Sequence, residues 1–294
     1  SGVPSTTATA LASLTTGVEP IDHGLLGYQV RDPETRQVVN HLKPYPEGVH
    51  PENWQPTPTV FEKLGREGIE SITVGESRFA GTDFSRSILR GAEHQGSYRL
   101  DDHLHHLRSF FDRTDQGFAY LYWPALDRAG HQSGVDSVAW RDALEEVDQF
   151  VATLQGELDG DEQALVLADH GMVDVAPEFQ WAMPSSHPLR SAIEAWAGEP
   201  RCLHLYLHEP EQTVRIGQEL QSELGDRATV RSRDEFLAQF FPTATHHRHD
   251  QRIGDLVVFA RGNWALYDER TASMASRSMV GQHGSVTPVE TRVP

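Results

Sequence analysis

The hydrophobic positions of this chain switch between two periods. Short apolar runs at 71–76 (S-I-T-V-G-E), 118–123 (F-A-Y-L-Y-W) and 164–168 (A-L-V-L-A) read as strands. Between them, patterns of helical spacing cover 57–67, 101–113 and 137–158. The last is the clearest, because Val147, Phe150, Val151, Leu154 and Leu158 form one amphipathic stripe. Strands alternating with helices predict right-handed βαβ units. The expected fold class is therefore α/β, a mainly parallel sheet sandwiched by helices.

Residues 8–16 predict a short helix, with Gly17 as its stop. Such a helix points free backbone N–H groups past Thr7 toward any anion there. Strand-like runs at 202–208 and 253–260 and a helix near 210–224 lie within 173–280, part of which is expected to form an inserted cap. The proline-rich stretch 44–58 reads as a surface loop. One domain over 1–294 accommodates all of this. No strand precedes the turn at Ser1 and the end at Pro294 is abrupt, so the sequence reads as a slice of a longer protein.

Composition narrows the function classes. With 38% apolar and 23% charged residues the chain should fold and stay soluble. No apolar run approaches the roughly 20 residues of a membrane helix. A soluble protein is expected, with the cytoplasm favoured and the compartment, like the oligomeric state, left open. The net charge of -18 argues against binding a nucleic-acid backbone. Lys43 and Lys63 are the only lysines, a bias of composition and not of function. The one cysteine, Cys202, excludes an intrachain disulfide or a cysteine-based zinc cluster, and its apolar strand pattern marks it as a buried thiol.

Chemistry-bearing fragments run from end to end: Thr7 in P-S-T-T-A-T, Asp127 and His131 in L-D-R-A-G-H, Asp169 and His170 in L-A-D-H-G-M, and His283 in G-Q-H-G-S. Taken singly each has a plain reading: a solvated Asp–His pair, a turn that Gly171 sharpens, a loop histidine. Jointly they supply carboxylates, imidazoles and a hydroxyl, the donor set for two divalent metals. Paired metals clamp the attacking and leaving oxygens of a displacement at phosphorus. Asp127 and Asp169 each follow an apolar run, so two strands would deliver ligands to one edge of the sheet. Asp127 and His131, four apart, share a face on a helical turn.

In these fragments, and in T-T-G-V-E-P-I-D-H-G, the chain resembles the alkaline phosphatase superfamily, most closely its type I phosphodiesterase/nucleotide pyrophosphatase branch. The resemblance spans nearly the whole chain. It implies an alkaline phosphatase-like catalytic domain with a threonine nucleophile ten residues before Gly17, which is Thr7, with Thr6 as the fallback. It implies that Asp127, His131 and His283 hold one metal and that Asp169, His170 and Thr7 hold the other. The metals would be zinc, with manganese or another divalent ion also compatible. One metal would activate the Thr7 hydroxyl. The other would stabilise the leaving oxygen and then activate the water that breaks a phospho-threonine.

The family places a further metal-binding Asp on a strand upstream of its nucleophile, which has no counterpart in this sequence. It often has Asn where Tyr28 stands, making Tyr28 a candidate substrate contact. Pro124-Ala125-Leu126 replaces the usual Pro directly before the first metal Asp. The expected activity is metal-dependent hydrolysis of phosphodiester or pyrophosphate bonds in small, nucleotide-type phosphoesters. A phosphomonoesterase or phosphonate hydrolase would use the same metals, and a metal-binding protein without catalysis would keep the same fold.

Other features carry less. His103, His105 and His106 read as surface residues of a helix, and His246, His247 and His249 as a polar loop. Arg201 in G-E-P-R reads as a salt-bridge partner before a phosphate ligand, and Tyr122 and Trp123 as core or pocket wall. No P-loop, G-x-G-x-x-G or G-x-S-x-G occurs.

Overall fold

A three-stranded parallel sheet carries one half of the candidate site. In the computed structural model, which describes residues 2–243 and 248–293, Glu93–Ser97, Glu70–Glu76 and Gly117–Leu121 lie side by side in that order. Ile72 faces Ala119 and Val74 faces Leu121 across the ladder. Ile72 and Val74 pack with Phe110 of the helix Asp101–Phe111. The Val60–Arg66 helix starts on a capping box, with Thr59 and Glu62 satisfying each other's backbone N–H groups.

The second sheet is antiparallel, not parallel. It has four strands in the order Ala228–Ser232, Leu256–Ala260, Cys202–Leu207, Ile193–Glu199. Side-chain alternation explains how both of its faces become core. Leu203, Leu205 and Leu207 pack with Ile216 and Leu220 of the helix Thr213–Leu224. Cys202, Val257 and Phe259 face the other way, toward Leu11, Ile21 and Leu25. Cys202 is buried, as its strand pattern implied.

Four expectations need correction, the last being His103, expected on a helix surface but buried. The parallel sheet has only those three strands, with one separate parallel pair, Gln180–Met183 beside Ala265–Asp268, while the four-stranded sheet pairs antiparallel. The apolar run 164–168 forms no strand, and Leu165 is 81% exposed. An apolar run reports a demand for burial, whereas a strand needs a ladder partner, and no described residue supplies one. The stretch 44–58 is not simply a surface loop: Trp54, in the turn Pro51–Trp54, is buried beneath the Arg252 guanidinium, 3.7 Å from its ring centre.

The remaining helices form close to their expected bounds. Thr7–Thr16 stops on Gly17, whose left-handed backbone (φ 72°) closes the last turn. Val138–Glu157 keeps its apolar stripe half-buried. His103 is buried, edge-on to Trp123, while His105 is exposed and His106 half-exposed. His249 is half-buried beside Gly24, with its pKa pushed down to about 4 by burial and by Arg252. His246 and His247 lie outside the described residues.

Candidate metal centre and nucleophile

The parallel sheet ends where the site begins. Beyond Gly117–Leu121 the Tyr122 N–H still donates to the Val74 carbonyl, and the chain then turns through Pro124 into the helix Ala125–Ser133. Asp127 and His131 sit four apart on that helix, and His131 Nε2 lies 3.4 Å from Asp127 Oδ1. His283 arrives from the far end of the chain, with Nε2 4.0 Å from the same oxygen. Donor atoms of Asp127, His131 and His283 all fall within 4.8 Å of one another.

Asp169 and His170 reach the same place on irregular backbone. The Gly171 that follows is required by a close approach, and not for a left-handed turn: a Cβ there would lie 1.9 Å from the Val289 carbonyl oxygen. His170 Nε2 is 3.5 Å from Asp169 Oδ2 and 3.1 Å from Thr7 Oγ1. The His170 and His283 rings stack 3.6 Å apart, so the two ligand sets share a wall.

One feature unites the three imidazoles. Nδ1 of His131 lies 2.7 Å from the Gly281 carbonyl, that of His283 3.0 Å from Ser5 O, and that of His170 3.0 Å from Gly171 O. A carbonyl can only accept, so each Nδ1 carries the proton and each Nε2 lone pair faces the acids and Thr7. That arrangement fits cation ligation. Asp127 Oδ1 is buried without a hydrogen-bond partner, a vacancy in bonding that a cation would fill.

Burial dominates the electrostatics. It holds the Asp127 carboxyl above the ordinary range, opposed by His131 and His170 and reinforced by Asp169. Burial, with His170 and His131 close by, pushes His283 well below its usual value. The neutral, ligand-ready imidazole is therefore favoured.

Thr7 is nearly buried at the first position of its helix. Thr6, the N-cap, makes no side-chain capping bond, so first-turn N–H groups remain available beside the Thr7 hydroxyl. Burial and the nearby Asp169 hold the Tyr122 phenol well above its usual range. Tyr28 is half-buried ahead of the hairpin Gln29–Arg31/Val38–Asn40, and its carbonyl accepts from the His41 N–H. No described contact joins its phenol to the cluster.

Thr7, Asp127, His131, Asp169, His170 and His283 thus converge, and Arg201 does not join them. It is fully buried, with its guanidinium bidentate on Glu290 at 2.7 and 2.9 Å. Sequence reasoning missed Glu199, whose buried carboxylate lies 3.6 Å from His283 Nδ1. The sequence carries no signal for it, since G-E-P-R does not say where the carboxylate points.

Comparison with known proteins identifies the family and the fold. The type I phosphodiesterase/nucleotide pyrophosphatase profile matches residues 1–286. A bis(5'-adenosyl)-triphosphatase of Xenopus laevis is 21% identical over 294 residues, covering 92% of this chain and 58% of that protein. The chain therefore spans little more than half the length of this relative. A structure of murine ectonucleotide pyrophosphatase/phosphodiesterase 5, an inactive variant in complex with AMP, superposes with a TM-score of 0.77 at 16% identity. That match covers 99% of this chain and 76% of the murine one. Phosphonoacetate hydrolase from Sinorhizobium meliloti, in complex with phosphonoformate, gives 0.70 at 18% identity, covering 100% and 79% of the two chains. At these identities the structures show a common α/β fold. The profile match over almost the entire length settles the family: the chain belongs to the type I phosphodiesterase/nucleotide pyrophosphatase family.

Proposed function

We propose that this chain hydrolyses phosphodiester or pyrophosphate bonds of small nucleotide-type substrates, with Thr7 as nucleophile. The observation that carries this reading is the placement of Thr7 Oγ1 3.1 Å from His170 Nε2, at the mouth of a helix N-terminus. Asp127, His131 and His283 would hold one divalent ion, and Asp169, His170 and Thr7 the other. When bound, such ions lower the pKa of a coordinated hydroxyl and neutralise charge on the attacking and leaving oxygens.

The chain's own residues account for the rest. Without an ion the Thr7 hydroxyl donates to His170 Nε2, and a bound ion would take over that lone pair beside the Thr7 oxygen. Attack at phosphorus forms the Thr7 Oγ1–P bond as the P–O bond to the leaving group breaks, giving a phospho-threonine. Water then breaks the Thr7 Oγ1–P bond and restores the hydroxyl. The N–H groups of the first helical turn receive the equatorial phosphoryl oxygens, where charge accumulates.

A diester presents one negative charge and a monoester up to two. Arg128, next to Asp127, is paired with Glu76, and Arg201, behind His283, is held by Glu290. With both cations engaged, the singly charged substrate suits the site better. Two relatives point to nucleotides: the Xenopus protein is named for a dinucleoside triphosphate, and the murine variant binds AMP. The likeness to phosphonoacetate hydrolase keeps phosphonate cleavage as the second reading.

The test is hydrolysis of bis(nitrophenyl) phosphate against nitrophenyl phosphate, with zinc- or manganese-loaded protein and a chelated control. A diester preference abolished by chelator is expected. A monoester preference would overturn the substrate class, and turnover unaffected by chelator would overturn the metal requirement.

A further inference from the structure

We propose that Arg78, Glu76 and Arg128 form a subsite for a leaving group that carries a phosphate of its own, so that the bond cleaved is a pyrophosphate linkage and not the ester of an uncharged alcohol. The inference rests on the roles given to Thr7 and Asp127 in the reading above, and narrows it.

Glu76 is the last residue of the strand Glu70–Glu76, and Arg78 follows in the turn Ser77–Phe79. Both lie at the carboxyl end of the parallel sheet, where ligands of α/β folds gather. Arg128 comes from the helix Ala125–Ser133 and donates to one oxygen of Glu76 through Nη2, while Arg78 donates to the other through Nε. One carboxylate thus serves two guanidinium groups. The row keeps one positive charge in a chain whose net charge is -18. Burial works against ionising Glu76, but the two arginines outweigh it and draw its carboxyl below the usual range. The Arg128 and Arg78 side chains are 45% and 63% exposed, and their other N–H groups have no acceptor among the described residues.

The row stands beside the Asp127 half of the site. Arg128 follows Asp127 directly and is near enough to oppose the rise of its carboxyl. On the other flank the Arg78 guanidinium lies over the Phe79 ring at 4.9 Å. Phe79 is 6.0 Å from the ring of Tyr122, whose phenol is close enough to feel both Asp169 and Asp127. Thr7 attacks from the Asp169–His170 side, and in-line displacement puts the leaving oxygen opposite, toward Asp127. A leaving group that extends past Asp127 meets the row. Guanidinium forks match phosphate oxygens, and Glu76 has already fixed two of them, so little side-chain freedom is left to lose. The same tether keeps both cations off the reacting phosphorus, in line with a singly charged centre there.

The test sets ADP, which carries the extra phosphate, against AMP, which lacks it. Affinities are measured by calorimetry on zinc-loaded protein in the Thr7→Ala background, so that nothing is turned over. Arg128→Gln and Arg78→Gln should each lower the ADP-to-AMP affinity ratio by about fivefold, the upper end for an exposed ion pair. Glu76→Gln should raise it, because both guanidinium groups are then released from their carboxylate. Opposite signs separate a charged subsite from packing, since a scaffold role predicts the same direction for all three. A ratio unchanged in the arginine variants, or one that falls in Glu76→Gln, would overturn the assignment. Should Glu76→Gln or Arg128→Gln not fold, Arg78→Gln at the exposed end decides by itself. A protein that shows these shifts but cleaves no phosphoester would sink the proposed activity and leave the subsite standing.

Discussion

Thr7 and His170 are 163 positions apart in sequence, yet Oγ1 of one lies 3.1 Å from Nε2 of the other. Because the His170 Nδ1 proton is spoken for by the Gly171 carbonyl, Nε2 is free to accept from Thr7. Without an ion the hydroxyl is thereby held on the lone pair that His170 would offer a metal.

Replacing Thr7 with Ala should lower turnover of a phosphodiester by roughly four orders of magnitude, the scale on which removing a group from a nucleophilic machinery acts. Thr7→Ser keeps a hydroxyl and should retain part of the rate. Both are read at matched metal content. Turnover of Thr7→Ala equal to wild type would remove Thr7 as nucleophile and direct attention to Thr6.

Much of this site was legible because each fragment carries its own local geometry. Asp127 and His131 share a face by helical spacing, and the helix after Thr7 ends on Gly17 as the glycine rule requires. What stayed hidden depends on partners far away in sequence. The run 164–168 has strand composition but no ladder partner among the described residues. Nothing in the sequence singles out Glu199, and only the strand Ile193–Glu199 places it under Gly284. His103 shows helix-surface spacing with its neighbours, and only the position of Trp123 turns it inward. The antiparallel sheet escaped for a related reason, since apolar runs do not encode strand direction.

Asp127 should behave oppositely with and without metal. In the metal-free protein its carboxyl is buried and Oδ1 has no partner, so Asp127→Asn should leave stability unchanged or raise it. Zinc at about a hundredfold excess over its Kd should stabilise wild type by about 2.7 kcal/mol and do much less for the variant. Denaturant melts with zinc and with chelator measure all four states. Equal zinc stabilisation of both proteins would remove Asp127 from the ligand set.

Acid should weaken the fold through two histidines outside the site. His23 and His41 have their pKa values pushed from 6.5 down to about 3, chiefly by burial, with His249 adding for His23 and Arg252 for His41. Between those limits the unfolded chain takes up protons that the folded one refuses. Their contribution is fully present above about pH 6.5 and drains away as pH falls toward 3, at up to about 1.4 kcal/mol per pH unit for each ring. The raised acids Asp127 and Glu199 act in the other direction, but they cancel when wild type is compared with His41→Gln. Urea melts across pH 7 to 5 should show a shallower slope for the variant by about that amount. Parallel slopes would mean that His41 is protonated in the fold.

The buried Arg201–Glu290 pair should couple stability to the metal site. Both side chains are fully buried, and each single truncation leaves an uncompensated charge, costing about 3–5 kcal/mol. Glu290 also accepts from the Ser285 N–H at 3.0 Å, two residues beyond His283, and its carbonyl accepts from the Gly171 N–H at 2.8 Å, next to His170. Loss of its carboxylate should therefore loosen the His283 loop while leaving the backbone bond to Gly171 in place. Glu290→Gln paired with Arg201→Met should recover part of the stability lost by either alone, because no charge remains stranded. Zinc affinity should stay reduced in the double variant, since Gln accepts from Ser285 less strongly than a carboxylate does. Denaturation and zinc competition on the four proteins of the cycle separate the two effects. Strictly additive stabilities would mean that the pair does not act as a unit, and wild-type zinc affinity throughout would mean that its grip on the His283 loop is irrelevant to the site.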